Sequence, residues 1–208
     1  MDYKWARDFA LELINQYSIA GAEITDTYNN QADYLKRIPK LLDDAQMYAA
    51  TTTGRIRTTE RLANMRCAEE GEWLVYTMPW DFWQMCSGGL VRYDGPRLQR
   101  YHRYHQLSKN KFAVPKPLDG DIMVEYYRYP RLLGPDPDED SMLDNSVEVQ
   151  MALPYYVAAH IVMHDNAFAY QALYNEFETK LARLAELPQT DINIVEDAYS
   201  AAEWEYNQ

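Results

Sequence analysis

His160 and His164 stand four residues apart with Asp165 beside the second. On a helix, two imidazoles at that spacing share one face and can hold a transition metal. No glutamate lies between them as a general base, and Asp165 suits a turn cap equally well. They therefore read as structural or surface histidines, and the chain is assigned no metal, no cofactor and no catalytic residue. A second group, His102 and His105 among Arg100, Tyr101, Arg103 and Tyr104, interleaves cations with aromatic rings. Single-strand binders stack bases on such rings beside phosphate contacts; protein interfaces are enriched in the same residue types, and that is the reading preferred here. Trp73, Tyr76, Trp80, Phe82 and Trp83 lie close along the chain. Exposed, they would make a sugar-stacking platform; filling a small core is the expectation. Gly88-Gly89 lacks the Lys-Ser or Lys-Thr that completes a phosphate loop, and Ser18, Ser87, Ser108 and Ser141 lack a nucleophile-elbow setting. Neither Cys67 nor Cys86 has a histidine beside it in sequence. Two cysteines are too few for a disulfide framework; a pair of buried thiols is expected, with a single Cys67–Cys86 bridge as the alternative.

The strongest element signal runs from Asn145 to Leu187 and reads as a helical hairpin. Val149, Leu153, Tyr156 and Val162 keep near-helical spacing in its first half, and Tyr170, Leu173, Phe177, Leu181 and Leu184 in its second. Asn145 with Glu148 has the form of a capping box, Asp165 and Asn166 supply a turn and a second N-cap, and the chain reverses near His164. At the other end, Ala6, Phe9, Ala10, Leu13 and Tyr17 form a stripe that Ser18 to Gly21 terminate. A further helical region follows Thr25 to Thr27. Pro39 is expected to kink it or restart it, with Leu42, Ala45, Gln46 and Ala49 on the next stripe and Thr51 to Gly54 closing it.

Beyond Gly54 the pattern turns to short strands: Glu72 to Met78, Gly89 to Tyr93, Arg97 to Arg103 and Asp121 to Tyr129. Asp94-Gly95 and Asp119-Gly120 mark turns. Ile122, Val124 and Tyr126 alternate with Met123, Glu125 and Tyr127, which predicts one inward face. Pro130, Pro135 and Pro137 among Asp136, Asp138, Glu139 and Asp140 make a stiff acidic linker. The predicted fold class is α+β: N-terminal helices (1–54) packed with a C-terminal helical hairpin (132–187, linker included), an inserted antiparallel β-sandwich or barrel-like module (55–131), and an acidic arm (188–208).

Charge is distributed unevenly along these parts. Lys and Arg against Asp and Glu number 5 to 8 in residues 1–53, 13 to 9 in 54–131 and 2 to 15 in 132–208, within a net charge of -12. The middle zone concentrates Arg92, Arg97, Arg100, Arg103, Lys109 and Lys111 around a single carboxylate, Asp94. Such a patch is either a solvated face or one side of a polar contact between copies. Sequence-specific nucleic-acid binding fits poorly, because the total charge repels phosphate. The apolar fraction of 47% and the 18 tyrosines argue for a folded protein. Met1 to Phe9 resemble neither a signal nor a transit sequence, and no apolar run is long enough to span a membrane, so a product of a reducing cytoplasm is expected.

Several strings, together with the helices–sheet–helices order, resemble the head-tail connector, or adaptor, proteins of tailed double-stranded DNA bacteriophages. They are Asp33-Tyr34-Leu35-Lys36-Arg37-Ile38-Pro39 with Leu42 following, Met78-Pro79-Trp80-Asp81-Phe82-Trp83, Val124-Glu125-Tyr126-Tyr127-Arg128-Tyr129-Pro130, Leu153-Pro154-Tyr155-Tyr156-Val157-Ala158-Ala159, and Tyr174-Asn175-Glu176-Phe177. The likeness runs from about residue 5 to 187. It implies a virion protein of the neck, made in the host cytoplasm, that forms a homo-oligomeric ring beneath the portal protein. Such a ring extends the channel for passing double-stranded DNA without sequence specificity, and offers a surface to a downstream neck or tail protein. It implies no catalytic residues and no membrane partner. Arg92, Arg97, Arg100, Arg103, Tyr101 and Tyr104 are the expected subunit contacts, with Trp204 and Tyr206 as anchors of the arm. The alternative expectation is an aromatic β module that binds carbohydrate or peptide in a tail or host-recognition assembly.

Overall fold

A computed structural model describes residues 1–16, 29–53, 55–94, 97–118 and 120–186. The chain is α+β and divides into two compact units. One is helical, built from Met1–Ile56 and Tyr129–Pro188; the other holds the strands of Arg57–Arg128.

The helical unit contains α1 (Tyr3–Gln16), α2 (Asn29–Thr52), α3 (Val147–Gln150), α4 (Leu153–Val162) and α5 (Ala167–Glu186). Leu153, Pro154, Val157, Ala158, Ala159, Ile161 and Val162 are all buried, so α4 is apolar nearly all round and must be the central helix. It packs against α1, α2 and α5. Ala6 and Ala10 of α1, Ala45 and Ala49 of α2, and Ala158 and Ala159 of α4 are fully buried in one core with Leu42, Leu153, Leu173 and Phe177. Small side chains at these facing positions let helix axes approach closely. The expected packing of the N-terminal helices on the C-terminal hairpin is thus observed.

The hairpin turns where the sequence places it. Val162 O accepts from the backbone N–H of both Asp165 and Asn166, and Asn166 Oδ1 caps α5 by accepting from Ala169 N at 3.0 Å. The first cap differs: Ser146, not Asn145, caps α3 by accepting from Val149 N at 3.5 Å. Asn145 is 5% exposed and donates from Nδ2 to Gln46 O at 3.5 Å. The restart expected as one alternative at Pro39 does not occur, since α2 runs on through it. The ring denies Leu35 O its usual donor, but Leu35 is 38% exposed and water can serve instead. The Thr51 and Thr52 hydroxyls donate back to Met47 O and Tyr48 O at 2.8 Å each, a second bond to carbonyls of the preceding turn. Tyr17, Ser18 to Gly21 and Thr25 to Thr27 lie outside the described residues.

The acidic segment read as a linker is stitched to the helices along its length. Asp43 of α2 accepts from Leu133 N at 2.7 Å and from Gly134 N at 3.1 Å, one amide per carboxylate oxygen. Gln46, fully buried, accepts from Asp144 N at 2.9 Å. Gln150 Nε2 donates to Leu143 O and Asn145 O at 2.9 and 2.6 Å. On the far side Tyr3 N donates to Ser141 O, Leu143 N to Met1 O, and Glu139 takes ion pairs from Lys4 at 3.0 Å and Arg7 at 3.1 Å. Polar side chains here complete backbone hydrogen bonding that an irregular segment cannot complete alone.

The second unit is a β-sandwich. Its strands are β1 (Ile56–Arg61), β2 (Arg66–Glu70), β3 (Trp73–Thr77), β4 (Phe82–Asp94), β5 (Arg97–Tyr101), β6 (His105–Ser108), β7 (Lys111–Pro115) and β8 (Asp121–Arg128), with a 3-10 turn at Leu62–Asn64. They form two four-stranded sheets, β1-β8-β4-β5 and β2-β3-β7-β6, and the registered pairs are antiparallel. Tyr76, Phe112 and Val114 of the second sheet share one core with Leu90, Tyr101, Ile122, Val124 and Tyr126 of the first. The predicted inward set of β8 is therefore the buried one. Glu125, predicted outward, is also buried at 4%, because Arg57 on neighbouring β1 pairs with it at 2.6 Å. The turn residues Gly95 and Asp119 lie outside the described residues.

Asp43→Ala is expected to lower the stability of the helical unit by about 2 kcal/mol, since two amides lose a charged acceptor where water reaches them poorly. Urea unfolding followed by helix signal measures it.

Candidate functional site

No described histidine pair makes a metal centre. Helix α4 stops at Val162, so His164 falls in the exposed turn beyond it. The His160 ring stacks on Tyr156 at 3.9 Å between centroids, with Nδ1 2.8 Å from Tyr156 O, and Tyr170 and Tyr174 meet it edge-on at 5.9 Å. Aromatic packing explains this residue. Among the described residues no three His, Cys, Asp or Glu side chains gather in a way that could hold a metal ion. The two cysteines are not joined in a disulfide; Cys86 is buried, but Cys67, expected to be buried, is exposed because β2 is an edge strand.

The basic patch is carried by one end of the sandwich. β5 is the last strand of one sheet and β6 the last of the other, and His102–Tyr104 connects them directly. In the β4–β5 hairpin Arg92 pairs with Gln99, Val91 with Arg100 and Asp94 with Arg97. Arg92 donates from Nη2 to Gln99 Oε1 at 3.2 Å. Arg100, Arg103, His105 and Lys109 are exposed. From Gly95 through Leu118 the sequence contains no carboxylate, so β5, β6 and β7 form a stretch whose formal charges are all positive. The structure thus brings Arg97, Arg100 and Arg103 to one edge, with Arg92 on the adjoining strand.

Of the two tyrosines of that group, one is interior and the other half-buried. Tyr101 is 8% exposed and fills the sandwich interior, because its position opposite Leu90 turns it inward. Tyr104 is half-buried, its ring edge-on to Phe112 at 6.4 Å. A Cβ added to Gly89 would sit 2.7 Å from the Tyr104 hydroxyl. Gly89 adopts φ +59 inside a register shift between Met85 and Leu90, where β4 carries extra residues against β8. Gly88-Gly89 is therefore a bulge whose missing side chain admits Tyr104, a role the sequence hints at only by a paired glycine within a strand. Trp204 and Tyr206 lie outside the described residues.

The tryptophan cluster divides. Phe82 and Tyr76 are core, as expected, while Trp73 packs on His105 with centroids 5.1 Å apart and Trp83 on Tyr127 at 6.4 Å. Trp80 is 85% exposed, contrary to the expectation of core filling. It occupies a turn closed by Phe82 N donating to Pro79 O at 3.1 Å, and its neighbour Asp81 accepts from the Tyr126 hydroxyl at 3.3 Å. Burial, then the Asp81 carboxylate, pushes that tyrosine up to about 12. The turn holds the indole outward on a fixed base.

No family model matches this chain, and no curated protein matches it either.

Gly89→Ala is expected to destabilise the β unit by about 1–2 kcal/mol from its left-handed φ alone, with the hydroxyl clash added to that. Combining it with Tyr104→Phe should recover the clash component and leave the backbone component, which chemical unfolding of the three variants resolves.

Proposed function

We propose that this chain is a structural protein of a tailed phage virion. It forms a ring that docks on the portal, extends the DNA channel and receives a downstream neck or tail protein. The observation that carries the reading is the pairing of an acidic helical body, built from two separate segments of the chain, with an inserted sandwich whose one edge is wholly basic. Heterologous contacts close into a ring only when the two contacting faces differ, and opposite charge on two parts of one chain supplies that difference. The resemblance of the Asp33–Pro39, Met78–Trp83, Val124–Pro130 and Leu153–Ala159 strings to connector proteins supports the same reading. A net charge of -12 suits a channel through which a duplex must slide without sticking. The reading assigns no reaction to the chain, and places it in the neck of the particle after synthesis in the host cytoplasm.

One observation favours a second reading. Trp80, solvent-facing on its turn, is the residue type and setting of a carbohydrate or peptide anchor.

Arg97, Arg100 and Arg103 changed together to Glu should leave a folded monomer that no longer assembles with itself or with portal protein. Sedimentation and circular dichroism measure this, and unchanged assembly removes the patch from the contact. Trp80→Ala should shift stability by less than about 0.5 kcal/mol, as for other surface substitutions. On the ring reading glycan-array binding is absent from both the wild type and this variant; glycan binding that the substitution abolishes selects the second reading instead.

A further inference from the structure

Sheet β2-β3-β7-β6 ends in two strands whose every residue is exposed, Arg66 to Glu70 on one side and His105 to Ser108 on the other. An edge strand presents unpaired backbone N–H and C=O groups, a ready template for another strand. Which groups face outward follows from the ladder. Lys116 N donates to Glu72 O and Met78 N to Asn110 O, so the even residues of β3 bond toward β7 and the odd ones toward β2. Trp73, Val75 and Thr77 pair with Glu70, Ala68 and Arg66, which leaves the backbone of Cys67 and Glu69 directed to the open edge. By the same alternation His105 bonds to β7 opposite Ala113, and Gln106 faces out.

The two edges differ in charge. β2 and the turn after it carry Glu69, Glu70 and Glu72 with Arg66; Glu69 pairs with Lys116 of its own chain at 2.6 Å, so the acidic character of this edge rests on Glu70 and Glu72. β6 belongs to the stretch that has no carboxylate, with Arg103 before it and Lys109 and Lys111 after. Two β6 edges would repel each other, whereas β6 against β2 brings opposite charges together. The strands also run in opposite directions within the sheet, β2 with β7 and β6 with β3. Rotation about an axis along the strands therefore sets β2 of the next copy antiparallel to β6.

We infer that copies of the chain join edge to edge, the open side of β6 in one copy pairing with the open side of β2 in the next, so that this sheet continues from subunit to subunit. The inference rests on the ring reading above and names the contact within it. The β2 strand pairs in uninterrupted register and contains no proline, two features that keep an edge available. Its Cys67 is the reporter, being the exposed thiol of the two.

The test uses the full-length chain in a concentration series. Glu69→Pro removes an outward N–H while leaving the β2–β3 ladder its donors; Glu69→Ala removes the same side chain and keeps the N–H. Wild type and E69A should form the same oligomer, and E69P should remain a folded monomer by circular dichroism. Gln106→Pro should block the other edge, and E69P mixed with Q106P should give one-to-one dimers and nothing larger, because each retains one open edge. Cys67 in the assembled wild type should react with a maleimide at least tenfold more slowly than in the E69P monomer. Should E69P fail to fold, Q106P and the protection of Cys67 decide the matter alone. Oligomers of E69P and Q106P equal to wild type, with Cys67 reacting at the monomer rate, would overturn the edge pairing and leave the ring reading standing. A wild-type chain that stays monomeric throughout overturns the edge pairing as well, and one that also ignores portal protein overturns both.

Discussion

The helical unit depends on side chains that stand in for backbone. An inserted module divides a domain into two chain segments, and closing the loop between Ile56 and Tyr129 carries an entropic penalty on the order of 4 kcal/mol beyond the constant term. The apolar stripes of α1, α2 and α4 offset it in bulk. What fixes the register of the returning segment is polar: the Asp43 carboxylate on two successive amides, the Gln46 side chain on Asp144 N, and the Gln150 amide on two carbonyls. Each is directional, so the segment from Leu133 to Asn145 can lie on α2 in one alignment. Burial pushes the Asp43 carboxyl above its ordinary value, while the two amides it serves act against that shift. The fold keeps a partly desolvated acid here because nothing apolar could hold two adjacent N–H groups.

The sandwich solves a different problem. It has few aliphatic residues, so rings fill it: Tyr76 stacks on Phe112 at 5.5 Å, and Phe82 packs on Tyr126 at 5.8 Å. Rings need room, which the glycine bulge in β4 provides for Tyr104. The only strongly buried charge among its described residues, Glu125, is tolerated because Arg57 arrives from the adjacent strand at 2.6 Å. Two sheets of four strands each end in edges, and these edges differ in charge because the stretch from Arg97 to Lys116 holds six cations and no carboxylate.

Most of the helical architecture was legible from spacing, because burial of α5 and α1 follows a simple stripe; Leu173, Phe177 and Leu181 are buried as their periodicity requires. The strands were harder in proportion to their exposure. β8 alternates and was readable, and β3 shows as a short apolar and aromatic run between Gly71 and Pro79, whereas β2 and β6 are exposed on both faces and carry no period at all. β7 is buried at three successive residues, Phe112, Ala113 and Val114, which erases alternation from the other direction. α2 continues through Pro39 without restarting because the burial of Ile38 and Leu42 on either side of it offsets the lost hydrogen bond. Of the patch, the arginines were identifiable from charge alone. The inward turn of Tyr101 depends on its register against Leu90, which no single-strand pattern reveals.

Cys67 and Cys86 sit in such different surroundings that oxidation in air has a built-in ceiling. A molecule with a single reachable thiol can be tethered to one other molecule and no more, so an ageing preparation of the unassembled chain should accumulate disulfide-linked pairs on a non-reducing gel. Any ladder above the pair then signals that the interior sulfur has come to the surface, making the gel a gauge of how often the sandwich opens.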